Sequence, residues 1–219
     1  MIRILVEPAH RGRTAAQRVL LLPPAHSGPE DFLRAGFADA VRERGLDLDL
    51  VLIEPALKSV TDRDALAGLR EELLAPARAA GCRALWLGGI SLGAYIALDC
   101  AERHRSEIDG LVLIAPYLGT HIVISEIERA GGLERWHPGV VADDDEERRI
   151  WRFIQAHGRS GFPIHLGTGS DDRFAARHRL LAEALAREDV DVVPGGHEWP
   201  VWRSLWENFL DARFVAARQ

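Results

Sequence analysis

Between Val19 and Val193, short apolar runs alternate with longer amphipathic segments, and this alternation limits the possible folds of the chain more than any other feature. The runs are Val19–Leu22, Leu48–Ile53, Ala84–Leu87, Leu111–Ala115, Ile164–Leu166 and Val190–Val193. They are rich in Val, Ile and Leu and lack strict apolar/polar alternation, which is how strands buried on both faces read. Between them Phe32, Phe37, Ala40 and Val41 recur at helical spacing, as do Leu66, Leu69, Leu73 and Leu74, and Leu180, Leu181, Ala184 and Leu185. Strand followed by helix, repeated, predicts an α/β fold: a mostly parallel sheet of about six to seven strands with helices on both faces. Such sheets bind ligands outside the carboxyl ends of their strands. The chemistry is therefore expected just after the apolar runs.

Two regions break the rhythm. Residues 1–17 hold one strand-like run, Ile2–Val6, and a Gly/Arg-rich turn, which predicts an antiparallel edge strand. Residues 116–162 exceed a simple crossover and are expected to form a short cap or insertion on a single domain spanning 1–219. That segment carries the acidic run Asp143-Asp144-Asp145-Glu146-Glu147. Negative charge suits the first turn of a helix, and no clustered histidine accompanies the run as a metal site would require.

The 219 residues are 47 % hydrophobic and 27 % charged, with a net charge of −6, an ordinary globular composition long enough for one sizeable core. The acidic balance and the lack of a Lys/Arg block argue against a nucleic-acid partner. No apolar run approaches the length that spans a bilayer, and the N-terminal run is too short for a signal peptide. Cys82 and Cys100 lie in apolar surroundings and read as buried free thiols of a reducing compartment. A cytoplasmic protein is expected, with no membrane partner; nothing in the sequence sets an oligomeric state.

The sharpest local signal is Gly89-Ile90-Ser91-Leu92-Gly93, a Gly-x-Ser-x-Gly pattern after an apolar strand and before a helix-forming run. Chance alone would give this pattern about 0.07 times in a chain with this glycine and serine content. A serine on a tight strand-to-helix turn projects its hydroxyl above the sheet, beside the unpaired N–H groups of a helix N-terminus. A hydroxyl is a weak nucleophile and needs a base. His197, in Pro194-Gly195-Gly196-His197, follows the last strand and fits the predicted position. His165 falls inside a strand and reads as a core residue, whereas His104, His157 and His178 read as solvated. A third group must orient the base. Asp171 and Asp172 both follow the strand Ile164–Leu166; one can orient the histidine and the other cap the next helix.

From about Arg18 to Leu210 the sequence resembles an α/β-hydrolase of the small esterase/lipase type. The resemblance implies the order Ser91, Asp172, His197, because the acid of such enzymes sits three residues after a glycine, as Asp172 does after Gly169. It also implies an oxyanion hole built from the backbone N–H groups of Leu92 and Ala25. Many relatives carry His-Gly-x where this chain has Pro23-Pro24-Ala25, and Ala25 keeps the N–H that the prolines lack. His26, Tyr117, Trp136 and Trp151 are candidate pocket residues. Phe153, Phe162 and Trp151 suit either an apolar acyl site or the core. Trp199, Trp202 and Trp206 read as a core-facing stripe on the last helix. The implied activity is hydrolysis of a carboxylic ester or thioester of a small soluble acyl substrate through an acyl-enzyme, with no metal or organic cofactor. Acyl transfer on the same fold and a catalytically silent small-molecule binder are the alternatives.

Overall fold

In this computed structural model, residues 2–54 and 68–216 are described. Seven strands form one sheet: β1 (Arg3–Glu7), β2 (Gln17–Leu22), β3 (Leu48–Glu54), β4 (Ala84–Ile90), β5 (Gly110–Ile114), β6 (Ile164–Gly169) and β7 (Val190–Val193). Their spatial order is β1-β3-β2-β4-β5-β6-β7, with β1 antiparallel to β3 and every other pair parallel. The fold is thus the mostly parallel α/β sheet expected, with the antiparallel edge strand expected at its start. Leu66, one of the residues placed on a helical stripe, lies outside the described residues.

Alternate residues of each central strand enter different cores. Leu20, Leu22, Leu85, Leu87, Leu111 and Leu113 face one layer. Val19, Leu21, Trp86, Val112 and Ile114 face the other. Because both faces are covered, neither needs polar side chains, and the strands read as continuous apolar runs. The second layer holds α1 (Pro29–Arg34), α2 (Phe37–Glu43) and the long C-terminal α8 (Trp199–Leu210). The stripe on α8 behaves as expected: Trp206 is fully buried and stacks on Phe37 at 5.6 Å between ring centres.

The first layer holds α3 (Ala75–Ala79), α4 (Leu92–His104), α5 (His121–Arg129), α6 (Glu146–His157) and α7 (Ala175–Ala182). Segment 116–162 supplies α5 and α6 and sends Val123, Ile124, Ile127, Trp136, Trp151 and Ile154 into this core. Asp145 begins α6 as its cap, accepting the Arg148 N–H, so the acidic run does open a helix. Two polar links tie α6 to α4: the Tyr95 hydroxyl donates to Glu146 at 2.8 Å, and Arg149 pairs with buried Asp99 at 2.8 Å. Cys82 and Cys100 are buried and unpaired with each other.

Candidate active site

β4 ends in Gly88-Gly89-Ile90, and the chain turns at once into α4. Ser91 occupies the junction with φ 51° and ψ −111°. A left-handed φ is unfavourable for a residue with a Cβ, so the surroundings must hold it. They do so through the peptide on each side. The Ser91 N–H donates to Ile114 O at 2.9 Å, and the Ser91 carbonyl accepts from the Tyr117 N–H at 3.0 Å. The glycines of the motif are demanded by close approach. A Cβ on Gly93 would stand 2.2 Å from Leu22 O, and one on Gly89 would stand 2.6 Å from the same oxygen. Only bare backbone lets the end of β2 run against the serine turn, and this brings the loop after β2 beside it.

The other two groups come from the next strand ends, with β5 alone separating β4 from β6. Asp172 follows β6, and His197 follows β7. His197 Nδ1 lies 2.7 Å from Asp172 Oδ2. The second carboxylate oxygen, Oδ1, accepts the Phe174 N–H at 2.8 Å. Burial is the largest influence on the Asp172 carboxyl and pushes its pKa up. The His197 hydrogen bond, the Phe174 N–H and the neighbouring imidazoles of His197 and His178 together outweigh it and hold the group below its ordinary value. An ionised carboxylate only accepts, so Nδ1 of His197 carries a proton, which leaves Nε2 as the nitrogen that can accept one from a substrate or nucleophile.

Asp171, the other candidate acid, is exposed and holds the histidine loop instead. Its N–H donates to Gly195 O at 2.9 Å, and its carboxylate accepts the Gly195 N–H at 3.3 Å. Gly169 completes the join, since a Cβ there would meet Gly195 O at 2.3 Å. An edge-to-face row of rings then leads from the serine turn to the imidazole. Tyr117 lies 6.1 Å from Phe174, and Phe174 lies 5.4 Å from His197. Among the described residues, the non-glycine positions with positive φ are His26, Ser91 and Ala115. They stand past or at the carboxyl ends of β2, β4 and β5, three neighbouring strands, so the strained backbone gathers on the same rim.

No protein-family model matches the chain, and no curated protein sequence matches it. Solved structures do. An S-formylglutathione hydrolase from Agrobacterium tumefaciens is similar with a TM-score of 0.62 and 16% identity, covering 96% of this chain and 87% of that one. FphF, a fluorophosphonate-binding serine hydrolase of Staphylococcus aureus, is similar at 0.63 with 12% identity, covering 92% and 85%. A monoacylglycerol lipase of Paleococcus ferrophilus is similar at 0.60 with 16% identity, covering 97% and 99%. The chain has the α/β-hydrolase fold.

On this α/β-hydrolase frame the remaining expected residues fall in two groups. Leu92 is the first residue of α4, so its N–H has no acceptor within the helix. Ala25 and His26 form the exposed corner of a turn closed by the Ser27 N–H on Pro24 O at 3.3 Å. Tyr117 is half-buried beside the serine turn, its ring 5.5 Å from Tyr95. Trp136 and Trp151, by contrast, are 3 % and 1 % exposed. Trp151 directs its indole N–H to Leu118 O at 3.4 Å, and both rings pack inside the first core. They are core side chains and not walls of an open pocket, because segment 116–162 folds down onto the sheet layer. Phe153 and Phe162 are core residues too, packed edge to face at 6.0 Å.

His178, expected to be solvated, is instead buried, at 1 % exposed. Its ring is held between Thr168 Oγ1 at Nδ1, 2.5 Å, and Pro116 O at Nε2, 2.9 Å. The flanking Arg177 and Arg179 suggest a wet helix face. A signal of burial was nevertheless present, since Phe174, His178, Leu181 and Leu185 follow the spacing of one helical stripe. His104 and His157 are half-buried, and His157 stacks on Phe153 at 4.6 Å.

Proposed function

We propose that the protein is a serine hydrolase that cleaves a carboxylic ester or thioester of a small soluble substrate. Ser91 Oγ attacks the acyl carbon as His197 Nε2 takes its proton. The tetrahedral oxyanion is stabilised by the N–H groups of Leu92 and Ala25, and its collapse leaves an acyl-enzyme as His197 returns the proton to the leaving group. Water, deprotonated by the same imidazole, then releases the acid. Asp172 fixes the tautomer of His197 and stabilises the imidazolium that forms.

The observation that carries this reading is the 2.7 Å hydrogen bond from His197 to a buried carboxylate, on the strand-end rim where Ser91 is held in left-handed backbone. Similarity to esterases and serine hydrolases of known structure supports ester hydrolysis as the reaction class. Among the described residues no group of His, Cys, Asp and Glu suits a metal ion, and the scheme uses none. Two buried free thiols fit a reducing compartment, so we place the enzyme in the cytoplasm, acting on a small acyl substrate without a nucleic-acid or membrane partner. Turnover of p-nitrophenyl acetate tests the reading: the wild type hydrolyses it and Ser91→Ala does not. Equal rates in the two proteins would refute it.

A further inference from the structure

One helix start carries more than the acid. Asp172 faces His197, Phe174 packs on the His197 ring at 5.4 Å, and His178 reaches the carbonyl of Pro116. A carbonyl can only accept, so the 2.9 Å contact to Pro116 O requires His178 Nε2 to carry the proton. Nδ1 is then an acceptor for the Thr168 hydroxyl at 2.5 Å. The ring therefore spans from β6 to the Ala115-Pro116-Tyr117 turn after β5, and burial lowers its pKa, so that it stays neutral in this role. The groups whose charges bear on it are Asp172, His197 and Arg177.

That turn is the clamp on the nucleophile's backbone. It begins with the Ile114 carbonyl on the Ser91 N–H, passes through Ala115 at φ 45°, and ends with the Tyr117 N–H on the Ser91 carbonyl. The Ala115 N–H ties one side of the turn to Gly167 O at 2.8 Å; Pro116, at the middle, has no N–H and can be held only through its carbonyl. His178 holds that carbonyl.

Resting on the hydrolase reading above, we propose that His178 is a positioning residue: it braces the Ala115–Tyr117 turn and thereby fixes the direction of Ser91 towards His197. A small misplacement of a reacting group lowers rate while leaving ground-state binding nearly intact. Replacing His178 with Ala should thus lower kcat by roughly ten- to a hundredfold and change KM much less. His178→Gln, whose carboxamide offers one donor and one acceptor, should recover most of the loss.

The test is kcat and KM for p-nitrophenyl acetate in wild type, His178→Ala, His178→Gln and Thr168→Val, with a thermal melt of each. The expected order of kcat is wild type, then Gln, then Ala, with Thr168→Val reduced several-fold at an unchanged melt. Should the Ala variant not fold, the Gln and Val variants carry the comparison. Wild-type kcat in Thr168→Val and His178→Ala, or a Gln variant as slow as Ala with both melting like wild type, would overturn the brace. Activity in the wild type with indifferent variants refutes the brace alone; an inert wild type refutes the hydrolase reading beneath it.

Discussion

His165 lies on β6 with both ring nitrogens buried and, among the described residues, without a hydrogen-bond partner, its ring 5.2 Å from Phe209. Burial, and then the charge of Arg213, push its pKa from 6.5 down to about 4. The unfolded chain therefore takes up a proton that the folded chain refuses. The stability tied to this neutral ring is complete above pH 6.5 and is lost as pH falls towards about 4. Urea denaturation at pH 7 and pH 5 should show the wild type losing about 2 kcal/mol more than His165→Leu; identical losses would contradict it. The two aspartates offer a second test at this scale. Asp172→Asn should lower kcat by about 10⁴, because the amide no longer selects the correct imidazole tautomer. Asp171→Asn disturbs only a loop contact and should act far more weakly. Steady-state kinetics rank the two, and the reverse ranking would move the acid to Asp171.

At the scale of elements, the site depends on strand ends that touch with no side chain between them. The Leu22 carbonyl lies where a Gly93 Cβ would stand, and the Gly195 carbonyl where a Gly169 Cβ would stand. Both neighbours are backbone and cannot swing aside. Gly93→Ala and Gly169→Ala should each destabilise by about 2–3 kcal/mol, and Gly93→Ala should also lower kcat by displacing the loop that bears Ala25. Chemical denaturation with kinetics reads both effects, and a Gly93→Ala variant unperturbed in both would contradict the close approach. The strands themselves were legible because a run such as Leu48–Ile53 is apolar on both faces. The ends were less so. β4 continues through Gly88 and Gly89, poor strand formers that neighbouring strands hold in register. The spacing of Phe32, Phe37, Ala40 and Val41 suggested one helix, but the chain forms two that meet near Gly36. The Gly-x-Ser-x-Gly pattern points to Ser91 and the strand ends to His197 and the Asp171/Asp172 pair, whereas the choice of Asp172 within that pair rests on the resemblance. For His178 the helical stripe signals burial, but its partners Thr168 and Pro116 are distant in sequence and its immediate neighbours are charged, so its role is not legible there.

At the scale of the molecule, the sheet sorts the work between its faces and its rim. Two apolar layers, one on each face, fix β2, β4, β5, β6 and β7 side by side. The loops leaving their carboxyl ends then bring Ser91, Asp172 and His197 from positions up to about a hundred residues apart to one edge. The tryptophans of segment 116–162 strengthen a layer and do not enclose a pocket, which is why composition alone could not assign them. Activation of Ser91 by His197 is read out by the rate of covalent labelling with a fluorophosphonate, followed by intact mass and located by peptide mapping. One adduct per wild-type chain is expected, on Ser91, forming roughly a thousandfold more slowly in a folded His197→Ala variant. A folded wild-type protein that never labels, or a variant that labels at the wild-type rate, would contradict it.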